Sequence, residues 1–398
     1  MILYITIIII SVNSNSYDVL AQSLPESDDL SASSGALGDD INIIEDIINR
    51  QKYIEESEEA TTINGNDDFS DTADDGSGNG NIDDDRRLFF KDDTYTTEEK
   101  SINLDRKGSS TKAYSGSVVY VVDYKNIRIQ KFSDEGSFIS KWGSEGSGNG
   151  EFGVPHGITL DSSGYVYVVD MNNCNVQKFD SEGDFLLKWG SKGEGDGQFL
   201  HPHSIALDSE GNVYVTDMAN FNIQKFDSEG NFLLKWGSEG ISDGQFKAPE
   251  GLAIDSHDDV YVSDTANANI QKFDSQGNFL LKWGSKGSKE GQLKRPAGIE
   301  TDASDNVYVT DAGNDRIQKF DSKGKFIAVW GSKGSDEGML DSPHDIAVDS
   351  SGNVYVAEQG NYRIQKFDSQ GNFRTSWGSA GTGDDQFLDP HSLAVYSN

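Results

Sequence analysis

All the tryptophans of this chain stand at one interval: Trp142, Trp189, Trp236, Trp283, Trp330 and Trp377 are each 47 residues apart. The prolines Pro155, Pro202, Pro249, Pro296, Pro343 and Pro390 keep the same step. So do Asp123, Asp170, Asp217, Asp264, Asp311 and, with a conservative change, Glu358. A fixed period of this length, with no insertion or deletion, restricts the chain to a repeat architecture in which each unit buries its apolar face against its neighbours.

The copy beginning at Pro202 identifies the unit. Residues 204–207 form a short apolar strand, and Asp208-Ser209-Glu210-Gly211 is a tight turn. Val213-Tyr214-Val215 is β-branched and aromatic, a strong strand signal. Ile223-Gln224-Lys225-Phe226 alternates apolar and polar, a second acidic turn ends at Gly230, and residues 232–236 make the fourth strand. Four antiparallel strands in a repeat of this size predict a propeller blade. The first copy starts at Val118 without its proline-led strand, and the chain closes with that strand alone, after Pro390-His391. Joining the two completes a sixth blade and leaves no open sheet edge. Residues 113–398 are therefore expected to be all-β: a six-bladed β-propeller of four-stranded antiparallel blades, closed by one carboxy-terminal strand joining three from the first copy.

The region before the repeats reads differently. Residues 1–21 open on an apolar run, too short to span a bilayer, and end in Val19-Leu20-Ala21, as a signal peptide would. Residues 22–112 are rich in Asp, Ser, Asn and Gly and offer too little apolar surface to offset the entropy of ordering, so a disordered acidic stalk is expected. Within it, Ile41 to Ile54 has the spacing of a short amphipathic helix. The whole chain carries a formal charge of −34, a field that repels a phosphate backbone and argues against a nucleic-acid partner. Cys174 is the sole cysteine, so neither an intramolecular disulfide nor a cysteine-based zinc module can form.

The run Asn212 to Asp227, with Pro202 to Asp208 before it, resembles the NHL repeat, and the resemblance extends to all six copies. It implies the same six-bladed propeller. Members of that family bind RNA or protein, serve as extracellular sensor domains of bacterial kinases, or act as zinc-dependent peptidyl-hydroxyglycine amidating lyases, so the fold does not choose a function. Without ligase-type Cys/His modules or a basic surface, the expectation is a secreted or cell-surface propeller. It would be a non-catalytic binding platform for a protein, peptide or extracellular polymer. The alternatives are a metal-dependent lyase or hydrolase, and a purely structural repeat scaffold.

Most repeated residues need no function: the tryptophans are expected to pack on the outer strands, and each Asp, three residues before an Asn, to bond turn backbone. The acidic turns offer too few oxygens for calcium. The residue after each proline is different. Around the closed ring it reads His391, His156, His203, Glu250, Ala297, His344, and innermost strands roughly 10 Å apart would let these side chains meet at one channel mouth. His156, His203, Glu250, His344 and His391 are the candidate binding residues. Alternate blades would offer His156, Glu250 and His344, the composition of a zinc or iron site; the lyase branch likewise holds its zinc with blade histidines. No cofactor is required by the main reading, since a post-proline histidine belongs to the common repeat and no catalytic base or arginine is evident. Glu300 replaces a small residue in its copy and should find a partner or face the channel.

Overall fold

The computed structural model describes Ile8–Ile10, Val19–Ala21 and residues 116–397. Ile8–Ile10 pairs antiparallel with Val19–Ala21. The rest of the expected leader, the acidic stalk of residues 22–112 and its helical patch lie outside the described residues.

Residues 116–397 form six four-stranded antiparallel sheets. In the Pro202 blade the strands are Pro202–Leu207, Val213–Asp217, Asn222–Phe226 and Phe232–Trp236, in sequence order from the axis outward. Val213–Asp217 is buried along its whole length because other blades cover both its faces, which explains its unbroken apolar run. Phe232–Trp236 is the outer edge, so none of its residues is fully buried and Leu233 is exposed. Each acidic turn is closed by its aspartate: Asp208 Oδ1 accepts the amides of Glu210 at 3.1 Å and Asn212 at 2.8 Å. The sixth blade is completed as the repeat count requires, with Pro390–Tyr396 paired to Val118–Asp123 in the register Leu393 to Val121 and Ala394 to Tyr120.

Each apolar cluster straddles two blades, so a blade has no core of its own. Ala206, Tyr214 and Ile223 pack with Phe246, Leu252 and Val260 of the next copy. The tryptophans cap these seams from outside. Trp189 meets Phe226 of the following blade at 6.1 Å between ring centroids, and its indole lies on Gly230, where an added Cβ would stand 2.6 Å from Cδ2. With φ at 81°, Gly230 serves the turn and the close approach together.

The repeated Asp seals the seam from within. Asp217, fully buried, accepts the amides of Leu200 at 2.9 Å, His201 at 3.0 Å and Asn220 at 3.1 Å, and the Asn220 side chain at 2.8 Å. Asn220 also donates to the Gly193 carbonyl. The pair thus ties the incoming connection to its blade, and the other copies repeat the bonding, with Glu358 taking the amide of Asp341.

Candidate functional site: the ring at the channel mouth

The residue after each proline sits where the innermost strand departs from regular pairing. Between Pro202 and Ile205 the register shifts, so His203 and Ser204 lie in a bulge, and all five other copies show the same shift over the same residues or, at Pro343 and Pro390, a shorter one. A bulge re-aims side chains, and here it turns them to the axis. His156, His203, Glu250, Ala297, His344 and His391 line one small cavity of about 20 Å³, room for about one water molecule or ion. Glycine lets the strands converge beneath it: a Cβ on Gly298 would stand 2.5 Å from the Asp345 carboxylate.

The backbone of this ring is satisfied in two ways. Where the second strand carries a hydroxyl, that hydroxyl bonds the ring carbonyl of the next blade: Thr216 to Glu250, Ser263 to Ala297 and Thr310 to His344. Where Val169 and Ala357 occupy the same place, the ring histidine takes over. His156 Nδ1 donates to the His203 carbonyl at 3.2 Å, and His344 Nδ1 to the His391 carbonyl at 3.0 Å. In the closing blade the place is held by Val122, and His391 turns Nδ1 to the Gln359 amide at 2.9 Å instead. Its Nε2 is buried with no hydrogen-bond partner.

The ring holds two groups that meet where His344 lies against His391, with ring centroids 3.8 Å apart. Glu250 Oε1 lies 3.2 Å from His344 Nε2, and Oε2 accepts from Thr265 at 2.6 Å. Burial alone would raise the Glu250 carboxyl, but the bond from His344 and the charge on that imidazole hold it well below the usual range. Burial likewise opposes protonation of His344, and Glu250 reverses it, so the imidazole is held above its ordinary value. His156, His203 and His391 form the second group. Burial first, and then neighbouring histidines or a lysine, press all three well below the ordinary imidazole value, so they are neutral. Their rings touch, with centroids 3.8 Å apart for His156 and His203 and 3.9 Å for His156 and His391. One nitrogen from each of the three lies within 4.8 Å of the others.

The alternate-blade set of His156, Glu250 and His344 therefore falls into separate groups: Glu250 is bonded to His344, whereas the His156 ring centre is 6.5 Å from that of His344. The donor set that fits a metal is the adjacent one, with three neutral imidazoles converging and one buried nitrogen unbonded. Glu300 lines the channel beneath, a space of about 180 Å³, and accepts the Thr301 amide at 2.8 Å.

Three neighbours of the ring escape a reading based on the post-proline column: Tyr124, Thr265 and Gln359. Tyr124 stacks on His391 with centroids 5.0 Å apart. All three directly follow the seam Asp or Glu, in a column reading Tyr124, Met171, Met218, Thr265, Ala312, Gln359. The residue before each proline is as varied: Val154, His201, Ala248, Arg295, Ser342, Asp389. Backbone bonds join the two columns, as from Met218 N to the His201 carbonyl. The signal was present as two columns that vary, one in nearly every copy and the other in all six, within an otherwise uniform repeat.

The NHL repeat family model matches residues 340–367, and a six-bladed β-propeller model matches residues 162–236. The chain is a six-bladed propeller that carries an NHL repeat. A model of the SMP-30/gluconolactonase/LRE-like region also matches, over residues 205–337. No curated protein matches the sequence. Among solved structures, a nidogen/laminin complex is similar at 15% identity, covering 70% of this chain and 98% of that one, with a TM-score of 0.53. A protein of unknown function from Bacteroides caccae is similar at 11% identity, covering 71% and 100%, with a TM-score of 0.55. Virginiamycin B lyase from Staphylococcus aureus is similar at 14% identity, covering 65% and 79%, with a TM-score of 0.47. At these identities the likeness concerns the fold. No helix among the described residues is long and apolar enough to cross a membrane.

Proposed function

We propose that this NHL propeller is a non-catalytic binding platform, secreted or held at a cell surface, whose mouth-bearing face takes a protein, peptide or extracellular polymer. One observation carries the reading. The seam columns repeat nearly unchanged, whereas the two columns flanking the mouth hold five and six different residues in six copies and sit on a common backbone. A rigid scaffold with side chains varied at one face is how propeller and loop scaffolds present a recognition surface. The connections add to the asymmetry: the one over residues 284–295 carries Lys286, Lys289, Lys294 and Arg295 against Glu290 alone, and the one over residues 378–389 carries only Asp384, Asp385 and Asp389. A scaffold with no binding role would not need this variation. A lyase or hydrolase would need an organic substrate within reach of the ring nitrogens, and about 20 Å³ is too little for one.

The test is binding of the purified chain to arrayed extracellular proteins, peptides and polysaccharides, beside a variant carrying Tyr124→Ala and Arg295→Ala. A ligand bound by the wild type and lost by the folded variant is expected. Ligands bound equally by both would overturn the assignment to this face. Secretion is tested separately, by amino-terminal sequencing of protein from the medium: a start after Ala21 is expected, and retention inside the cell with Met1 intact would refute it.

A further inference from the structure

We infer that His391, His156 and His203 bind one zinc-like divalent ion, and that this ion is a clasp on the closure of the propeller rather than a reaction centre. The three residues come from three consecutive innermost strands, beginning with Pro390–Tyr396, the strand that closes the ring. An ion held by all three would join the carboxy-terminal strand to the first two complete blades.

The donor chemistry is specific. His156 gives its Nδ1 hydrogen to the His203 carbonyl, which leaves the Nε2 lone pair for a ligand. His391 Nε2 is buried and unbonded, and Gln359 holds the other nitrogen of that ring. The Gln359 side-chain nitrogen faces His391 Nδ1 at 2.9 Å; turning that amide over puts its oxygen on Nδ1–H, the outer-shell support that metal-binding histidines have, and leaves the Nε2 lone pair free for the ion. Zinc–nitrogen bonds of about 2.0–2.1 Å require nitrogens closer than 4.8 Å, so the rings would close by about 1 Å. Glu250, across the cavity, supplies a compensating negative charge.

Position separates a clasp from a catalyst. The three histidines are only 4–8% exposed, and Tyr124 lies over His391 and His156. The ion itself would fill the cavity of about 20 Å³. The strand that such an ion would secure is also the one whose loss would expose Val118–Asp123 as an unpaired edge.

The experiment uses the full chain, without a histidine tag, stripped with chelator and titrated with zinc chloride. One ion per chain is expected by elemental mass spectrometry, together with a rise of roughly 5 °C in the unfolding midpoint at zinc well above Kd and slower hydrogen exchange at the Leu393–Val395 amides. His203→Gln and His391→Ala should abolish all three effects, and His344→Gln should keep the stoichiometry. Using two separate ligand variants guards against one that fails to fold, which circular dichroism of the metal-free forms would reveal. Absence of binding at micromolar zinc would overturn the site. So would an ion lost in His344→Gln but kept in His203→Gln, which would place it on alternate blades. An ion that binds but leaves exchange at the closing strand unchanged would overturn the clasp.

Discussion

The seams between blades and the mouth of the channel are built from the same repeat and end up unlike. At the seams, Asp217 and its counterparts do the same thing in each copy: a buried carboxylate gathers the amides of the incoming connection and the side chain of the following Asn. At the mouth, only residues apart, six positions hold four histidines, a glutamate and an alanine, and the ring carbonyls are bonded by a strand hydroxyl at three places and by a ring histidine at two. Sixfold identity is what a closed ring of seams demands, since one poor seam opens the whole. The axis makes no such demand, because a side chain there faces the other five blades and not its own copy. Departure from the repeat is therefore informative at the mouth and would be damage at the seam.

The largest effect should follow from breaking a seam. Asp217→Ala orphans several buried amide donors, each worth about 1–3 kcal/mol, so a loss of roughly 3–5 kcal/mol is expected in urea unfolding. The equivalent change at Asp311 should cost a similar amount. A large difference between the two would mean that the seams are not equivalent after all.

A smaller cost is expected where the strands converge below the ring. Gly298→Ala places a Cβ against the Asp345 carboxylate and the His344 carbonyl, an overpacking that should cost about 1–3 kcal/mol by the same measurement. At Gly211, a turn glycine with nothing within 4 Å of the added Cβ, alanine meets only the unfavourable φ of 81°. If Gly211→Ala proves the costlier change, crowding at the axis is not what selects glycine there.

Glu300 sharpens the comparison through pH. Burial raises its carboxyl from 4.5 to about 8; the Thr301 amide opposes this, and the Asp345 carboxylate adds to it. Below the ordinary value both folded and unfolded chains hold the proton, and Glu300 makes no difference. As pH rises towards 8 the unfolded chain releases its proton while the folded chain retains it, so this group lowers stability with increasing pH. Above 8 the full cost is present and the trend flattens. Glu300→Gln should therefore gain on the wild type steadily between pH 5 and 8, as read from urea midpoints at pH 5, 7 and 9. A constant difference across that range would show that the channel does not penalise the charge.

How much of this could be read beforehand follows from the same contrast. The blades, their number and the closing strand were legible because 47-residue identity reports the contacts each copy makes with its neighbours, and those contacts are the fold. The residues at the mouth were legible as a set, from the position of the proline. Their partners were not. Pairing across a ring depends on which rotamer each bulge allows and on residues outside the column, such as Thr265 beside Glu250 and Gln359 beside His391. A symmetric hexagon suggested alternate blades. The hydroxyl missing at Val169 instead commits His156 to its neighbour, a consequence of one side chain on another strand that only coordinates bring into view.

The smallest effect on stability should come from the column before the prolines, and it bears directly on whether that variation means recognition. Arg295 is exposed and has φ at 51°; Ser342, its counterpart one copy later, has the same φ. Arg295→Ser thus places a side chain that this backbone already accepts elsewhere in the molecule, and the unfolding midpoint should shift by no more than about 0.5 kcal/mol. If the mouth-bearing face is a recognition surface, the same change should weaken binding of an acidic ligand and reduce its salt dependence, because one unpaired guanidinium has gone from the cationic connection. If binding and salt dependence both stay as they were while Lys286→Ala alters them, the contact lies farther out on that connection. If neither substitution is felt, the variation at this face is drift on a surface that touches nothing, and the contrast between seam and mouth reflects only where a ring can tolerate change.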